Sequence, residues 1–537
     1  MLNVRLRADA LSRSMDLALH RMRVGHGIPE AAIRITDFIN RVTRDGFEGR
    51  ERRRVAAEAE AVRLAYEGRN IETCVSRLPP GLAVGQKPVK IKAEALLGGV
   101  ECTAIECTPE LLTATATQLR NEGIKAVRRV PIARLLSILD LASRLWLDPT
   151  YPKRSLAIEA IHRWTGFSRE MVIHSIDLEM RSSRKLDLWR TLWTELGNPR
   201  VLDGRSWSPS GEAPTLAFGP SLVAAVFSSN IPALPHLSYM RGLAVKSPVL
   251  GKVASNEPIF AALYIDTLLE LCPELAQTLA AVWFPGGSAE LESAMFAQAD
   301  FVIAYGSDAA LQALGRAIPA ESRRLLHGHR MGIGLVDQKG LLDPELPRQV
   351  AYDFAAFDGQ ACLAPVVYFV EANMEAATAF ARAVGAGLED HATWLKPRTM
   401  RVVDRAARRH VIQRWEIQAL FGQEPALVVE PEGGGGKWAG LVTSGTFVPQ
   451  PLGDRLFHIH CVASLDQAVE HVRPFARYLQ NAAFAVDSPQ RDALAAELAG
   501  LGMSRVNRPG CMPTPSMMWH HDGRLCIAEL VRWADVA

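Results

Sequence analysis

The sequence predicts an α/β protein built on two parallel sheets behind a helical N-terminal region, and three observations carry that reading. From about residue 214, apolar, β-branched and aromatic runs such as "TLAFGPSLVAAVFSSNIPALP", "AVKSPVLGKVAS", "TLAAVWFPGG" and "ADFVIAYGS" end in Gly, Ser, Asn or Pro. Helical patterns such as "EPIFAALYIDTLLELCPELAQ" and "SAELESAMFAQA" separate them. A second alternation runs from "MGIGLVD" through "APVVYFVEANMEAATAFARAVGAGLE" to "FHIHCVASLDQAVEHVRPFARYL". Strands alternating with helices of this length form parallel sheets with helices on their faces. Ligands gather at the carboxyl ends of such strands, where these Gly, Ser and Asn residues fall.

In chain order, "MLNVRLRADALSRSMDLALHRMRV" carries an arginine or aspartate every few residues and lacks the apolar stretch of a signal peptide. No run approaches the roughly 20 apolar residues that span a bilayer, so a cytoplasmic location is expected. Residues 1 to about 70 read as charged helix, clearest in "DGFEGRERRRVAAEAEAVRLAYEG", with the arginines on a solvated face. "KPVKIKAEALLGGVECTAIECT" alternates as short strands do, and "TPELLTATATQLRNEG" has the Thr-Pro start and Gly stop of a helix. Between about 130 and 200 lie more helices, including "YPKRSLAIEAIHRWTGFSREMVIHSIDLEMRSS".

Composition excludes several partners. The 60 basic and 58 acidic residues of this 537-residue chain leave a formal charge of +2, so no general field draws it to nucleic acid or an anionic membrane. Eight cysteines without a CxxC pair read as reduced thiols. "HIHC" alternates as a strand does, placing His458 and His460 on one face and Cys461 on the other; no metal site is expected, because the neighbourhood offers no further ligands. "PEGGGGKWAG" has Trp438 where a phosphate loop needs Ser or Thr, and reads as a flexible loop or hairpin tip.

"FDGQACLAP" places Cys362 behind Gly359 and Gln360 at the head of the strand "VVYFVE". A lone cysteine is more often core filler than nucleophile. The surrounding motifs decide the matter. "GQAC" resembles the Gly-Gln-x-Cys nucleophile motif of the aldehyde dehydrogenases. "SSNIPALPHLSYMRGLAVKSPVLGKVASNEPIFAAL" resembles their Asn-x-Pro turn and lysine-bearing cofactor strand, and "IAYGSDAA" their Gly-Ser helix start. "AIHRWTGFSREMVIHSIDLEMR…LWTELG" and "MMWHHDGRLCIAELVRW" resemble, more narrowly, the acyl-CoA reductases of the bacterial bioluminescence type, the LuxC family. The likeness covers roughly residues 130 to 537.

That resemblance implies an aldehyde-dehydrogenase-like fold: residues 1–125 as a helical and strand extension, 126–336 as an NADP-binding domain with a helical lead-in, 337–500 as the catalytic cysteine domain, and 501–537 as a C-terminal segment returning to the core or to an oligomer interface. It implies NADPH-dependent reduction of an acyl thioester, fatty acyl-CoA foremost, to the aldehyde through an acyl-cysteine on Cys362. A thioester is attacked by the thiolate, so Cys362 is expected to have a lowered pKa from positive potential or backbone donors. The Asn230 amide and the Cys362 N–H are the expected oxyanion donors; without the resemblance, Asn230 reads as a turn former before Ile231-Pro232.

For the cofactor, the resemblance points to Ser228, Lys252, Ser255, Gly306 and Ser307, though Ser307 reads equally as an N-cap. NAD-using relatives carry a glutamate three residues after the lysine. Ser255 at that position leaves no carboxylate to repel a 2′-phosphate, which favours NADPH. The second ribose glutamate, expected near "ALFGQEPALVV", is not evident. Hydrolytic relatives carry a glutamate base where this chain has "LLHGHRMGIGLV"; His327 and His329 stand there as possible proton donors or as structural histidines. Expected partners are an acyl-CoA or acyl-carrier thioester, an acyl-transferring partner enzyme, and further copies of the chain. A conventional aldehyde dehydrogenase and a non-catalytic scaffold are the alternative readings.

Overall fold

The computed structural model describes residues 49–91, 95–207, 213–422, 424–432, 436–450, 452–487 and 489–536. The chain divides into two compact units, Met1–Glu58 and Ala59–Ala537. In the first, the described residues 49–58 are helical, and Arg54 bridges Glu51 and Glu58 within that helix. The helical expectation for residues 1–48 lies outside the described residues.

In the second unit, residues 59–65 are helical and a small sheet follows, of β1 (Ile71–Cys74), β2 (Pro88–Lys90) and β3 (Val100–Ile105), in the order β1-β3-β2. The Thr-Pro start forms as expected, since Thr108 caps the helix Pro109–Gln118 by accepting from the Leu111 N–H at 3.2 Å. The Gly stop does not. The chain passes through a wider turn, Leu119–Gly123, into the helix Ile124–Arg129. Gly123 serves close approach instead, because a Cβ there would stand 2.2 Å from the Gln277 carbonyl oxygen. Beyond it, the helices Pro152–Thr165 and Arg169–Ser182 are separated at Gly166, whose φ of +83° ends the first. Their charges pair inside: Arg154 with Asp177 at 2.8 Å, and Glu159 with both Arg163 and Arg169.

β4 (Ser206–Trp207) and β5 (Pro214–Phe218) lead to a parallel five-stranded sheet of β6 (Val223–Val226), β7 (Val249–Lys252), β8 (Leu279–Val282), β9 (Phe301–Tyr305) and β10 (Arg323–His327). Its order is β10-β9-β6-β7-β8. The chain runs outward from β6 through β7 to β8, then returns to lay β9 on the other side of β6. Strand order therefore reverses between β6 and β9, and an open α/β sheet leaves a crevice at the carboxyl ends of such a pair.

Three residues after β10 the chain enters a second sheet: β11 (Met331–Val336), β12 (Pro365–Glu371), β13 (Ala426–Val429), β14 (Ala439–Thr443), β15 (Leu456–Val462), β16 (Leu479–Ala485) and β17 (Arg505–Asn507). Its order is β13-β14-β15-β12-β11-β16-β17, parallel except for β13. Apolar clusters cover the sheet, one around Phe354, Tyr368, Val384 and Phe457 and another around Ile333, Phe369, Val469 and Leu498. In "HIHC" the two histidines share Thr443 Oγ1, at 2.6 Å from His458 Nε2 and 2.7 Å from His460 Nδ1. Part of the glycine run, residues 433–435, lies outside the described residues. The chain closes on β18 (Arg532–Asp535), antiparallel to β5. Among the described residues, no helix is long and apolar enough to cross a membrane.

Candidate active site

The two large sheets meet at a cleft of about 1280 Å³. Phe227 and Ser228 enter it from the end of β6, Gly306 and Ser307 from the end of β9, His327 from the end of β10, and Gly328 to Arg330 from the link between the sheets. Gln360 to Leu363 reach it from the loop before β12.

That loop is built under strain. Phe357, Asp358 and Gly359 all have positive φ, at 54°, 50° and 71°, in a region that non-glycine residues seldom occupy. Asp358 over-determines the turn: its carboxylate takes Arg455 Nε at 2.9 Å and the Arg398 N–H at 2.8 Å, and its carbonyl takes the Asp454 N–H at 2.7 Å. Asp358 and Arg455 are 1% and 2% exposed, so losing either strands a buried charge. Three residues on, the turn presents Cys362 to the cleft.

The thiol can be reached by solvent from the cleft, yet stands deep among protein atoms. Burial pushes its pKa up to about 12, and the Asp522 and Glu179 carboxylates add to the rise. The N–H groups of Cys362 and Leu363 favour the thiolate but do not prevail. The expected lowering is therefore reversed in the free chain: the backbone donors are present, and no cation beside the sulfur outweighs burial. Asn230 shares the cleft and spends one of its two amide N–H bonds on the Gln360 carbonyl at 3.0 Å. Its Oδ1 is buried without a partner.

His327, at the end of β10, is buried and bound through Nδ1 to Asp522 Oδ2 at 2.7 Å. Asp522 also takes Arg330 Nε at 2.8 Å and Gln480 Nε2 at 2.7 Å. Burial disfavours the charge on Asp522, but these donors and His521 hold its carboxyl below the usual carboxylate range. Burial lowers the His327 pKa, with Asp522 opposing and Arg241 and Arg330 assisting. The result is a neutral imidazole with its proton on Nδ1 and its Nε2 lone pair free. Tyr305, His327, His521 and Trp519 form one stack, with successive centroids 4.8, 4.0 and 4.6 Å apart. His329 lies at the exposed rim, its N–H on Asp308 Oδ1 at 3.1 Å.

His327, His521 and Asp522 are also close enough to be considered as ion ligands. An imidazole lone pair lies in its ring plane, and rings stacked 4.0 Å apart at 17° aim along lines that do not converge. Arg330 beside Asp522 adds like charge to any cation there.

The predicted cofactor residues divide. Ser228, Gly306 and Ser307 line the cleft with Cys362 and Asn230. Ser307 is the N-cap of the helix Asp308–Ala317, accepting from the Ala310 N–H at 3.3 Å. Lys252 and Ser255 flank Ala254, which lines the cleft, but do not line it themselves. Lys252 is buried with its ammonium 4.8 Å from the Phe284 ring centroid, and has no hydrogen bond or ion pair among the described residues. Ser255 Oγ accepts from Trp283 Nε1 at 3.0 Å.

Sequence reasoning missed Asp522, His521, Arg241 and Glu179, all at or beside the cleft. The His-His-Asp run of "MMWHHDGR" was the one signal for the first two. The segment is pinned by Arg505, which donates to the Cys511, Met512 and Thr514 carbonyls, and by Asp353, which takes the Gly510 and Met512 N–H groups.

Comparison with known proteins agrees with this geometry. A family model described as acyl-CoA reductase (LuxC) matches residues 127–533. The long-chain acyl-protein thioester reductase of Photorhabdus luminescens is 24% identical over 345 residues, 63% of this chain and 69% of that one. The long-chain acyl-protein thioester reductase 2 of Photobacterium leiognathi is 22% identical over 431 residues, 78% and 85% of the two chains. Among solved structures, an NAD-dependent benzaldehyde dehydrogenase from Corynebacterium glutamicum superposes with a TM-score of 0.62 at 15% identity, over 86% of this chain and 98% of that one. A 3,6-anhydro-L-galactose dehydrogenase in complex with NAP does so with 0.62 at 14%, over 87% and 99%. The fold is thus aldehyde-dehydrogenase-like.

Proposed function

The chain belongs to the LuxC family of acyl-CoA reductases, and from that premise we propose that it reduces an acyl thioester to the aldehyde with NADPH, through an acyl-cysteine on Cys362. The observation that carries this reading is the convergence of Cys362, Asn230 and His327 on one cleft at the strand-order reversal.

In the proposed reaction, Cys362 Sγ bonds to the thioester carbonyl carbon as its proton passes to His327 Nε2. The tetrahedral oxyanion accepts from the Asn230 amide and the Cys362 N–H. Collapse breaks the bond to the donor sulfur, which leaves as a thiol with the proton held by His327. A nicotinamide held in the cleft would supply hydride to the acyl carbon. The thiohemiacetal oxyanion on Cys362 then re-forms its carbonyl, the C–S bond breaks, the aldehyde departs, and Sγ recovers a proton drawn from solvent. Asp522 keeps the His327 proton on Nδ1, leaving Nε2 as the accepting atom. A thiol held near 12 makes this coupled proton transfer necessary, because little thiolate stands ready near neutrality.

For the cofactor, the buried and unpartnered Lys252 supports an anionic or ribose-bearing ligand beside β7. The start of the helix Asp308–Ala317 presents backbone N–H groups to the same cleft, partly offset by Asp308. Ser255 in place of a carboxylate supports NADPH over NADH.

The test is NADPH oxidation at its near-ultraviolet band with an acyl-CoA series and with acyl-carrier protein, aldehyde being captured as product. Oxidation with aldehyde formation is expected, and its absence with every donor would refute the reading. One observation favours a second reading, aldehyde oxidation by water. Glu179 lines the cleft with its carboxyl pushed up to about 7 by burial, so it is available as a base above that pH. Acyl-enzyme hydrolysis faster than hydride transfer would favour it.

A further inference from the structure

Arg241 has no role in the reaction above, and its setting is unusual for an arginine. It lies on the helix His236–Ala244, is 9% exposed, and lines the cleft. Its guanidinium makes no hydrogen bond or ion pair among the described residues, and its Nε is fully buried without an acceptor. Buried guanidinium groups are nearly always paired, because five N–H donors and a full charge are costly to strip of water.

The acids that might have paired with it are committed or apart. Glu195 uses its carboxylate on the Cys526, Ile527 and Ala528 N–H groups. Glu179 stands beyond ion-pair distance, and burial holds it protonated up to about pH 7. The other arginines lining the cleft are paired, Arg181 with Asp177 and Arg330 with Asp522. Burial opposes the charge on Arg241, but Cys526 and Tyr305, followed by Glu195 and Glu179, favour it. The charge is therefore present and unanswered.

The wall around Arg241 indicates what answers it. Leu237 lies one helical turn before it on the same face, and Leu178, Met517 and Trp519 line the same cleft. This is hydrocarbon and indole surface suited to an acyl chain. Resting on the thioester reading above, we infer that Arg241 is the docking point for an oxyanion carried by the substrate, either a carboxylate on the acyl group or a phosphate of its carrier. A planar guanidinium binds either oxyanion through two parallel hydrogen bonds.

The experiment uses four thioesters: octanoyl and suberyl groups, equal in length but differing by a terminal carboxylate, each on coenzyme A and on N-acetylcysteamine, which lacks phosphate. Binding is measured by calorimetry at pH 6.5 on the full chain carrying Cys362→Ala, alone and with Arg241→Met or Arg241→Lys, so that no turnover is required. If the acyl carboxylate is the ligand, suberyl thioesters bind more tightly than octanoyl ones on both carriers, on the order of ten- to a hundredfold. If the carrier phosphate is the ligand, both coenzyme A thioesters exceed both N-acetylcysteamine thioesters by a similar factor. In either case Arg241→Met abolishes the difference, Arg241→Lys retains part of it, and NADPH affinity does not move. Four affinities that ignore charge, a uniform loss across all four in Arg241→Met, or a loss confined to NADPH would overturn the inference. Tight, Arg241-dependent binding in a chain whose wild type reduces no thioester would sink the reductase reading alone. Reduction of all four thioesters without regard to Arg241 would sink this inference alone.

Discussion

His327 Nδ1 stands 2.7 Å from Asp522 Oδ2, tying the last strand of the five-stranded sheet to the C-terminal segment across 195 positions of sequence. The pair fixes a tautomer as well as a contact. An ionised Asp522 accepts only, so the imidazole must donate from Nδ1 and accept at Nε2.

Asp522→Asn should therefore lower kcat/KM by roughly tenfold or more, within the range a positioned base supplies. Burial sets His327 below an ordinary histidine, with Asp522 opposing. The acid limb of the wild-type profile should fall below about pH 6.5, and loss of the carboxylate should move it lower still. The check is kcat/KM against pH for both proteins. An unchanged limb with an unchanged rate would return the pair to a purely structural role.

Cys362 should carry the acyl group. Labelled acyl-CoA is expected to leave a hydroxylamine-sensitive adduct on the wild type and none on Cys362→Ala. Because burial holds the free thiol near 12, its alkylation by iodoacetamide, followed by peptide mass spectrometry, should be slow at pH 7 and rise about tenfold per pH unit to pH 9 and beyond. A rate already saturated at pH 7 would show that the thiolate is stabilised by more than the Cys362 and Leu363 N–H groups.

Asn230→Ala should retain NADPH binding and lose about 3 kcal/mol of transition-state stabilisation, roughly two powers of ten in acylation rate. The side chain also holds the Gln360 carbonyl, so the thermal midpoint should fall slightly. Normal acylation with weak cofactor binding would mark Asn230 as a turn former.

His458 and His460 make acid stability testable. Burial pushes their pKa values down to about 3 and about 4, with neighbouring imidazoles assisting. Between those values and about 6.5 the unfolded chain binds protons that the folded chain refuses, so stability falls as pH falls through that window. Each group contributes about 1.4 kcal/mol per pH unit at most. His458→Gln should flatten the fall in melting temperature between pH 6.5 and 4.5, and an equally steep fall would place the acid sensitivity elsewhere.

What the sequence made legible was local. Strand ends rich in Gly, Ser and Asn marked the crevice, and "GQAC" marked the cysteine that faces it, because each is written within a few consecutive residues. Gly123 misled because its purpose is a carbonyl 154 positions away, whereas a helix stop is a local signal. Asp522, Arg241 and Glu179 were illegible for the same reason: their meaning comes from packing between distant segments, and an Arg on an otherwise apolar helix face looks the same whether it snorkels or waits for a ligand. The thiol's high pKa was likewise hidden, since a motif names the donors and not the depth of the cleft.

The last prediction concerns cofactor choice. Ser255→Glu should lower the affinity for NADPH and spare NADH, because a carboxylate would face the 2′-phosphate yet accept hydrogen bonds from a free ribose hydroxyl. Like charges at contact cost several kcal/mol in a dry cleft and less where water screens them, so a shift in preference of about tenfold or more is expected. Ser255 Oγ also accepts from the Trp283 indole, and the Glu variant removes that bond as well as adding charge. Ser255→Ala isolates it: it removes the acceptor without adding charge, and should leave the NADPH/NADH ratio of kcat/KM where it was. Lys252→Ala should weaken both cofactors, NADPH more, since its ammonium has no hydrogen bond or ion pair among the described residues and rests against the Phe284 ring. Should the wild type prefer NADH, or should Ser255→Glu and Ser255→Ala move the ratio equally, then the end of β7 does not hold the ribose and the phosphate must be sought elsewhere in the cleft.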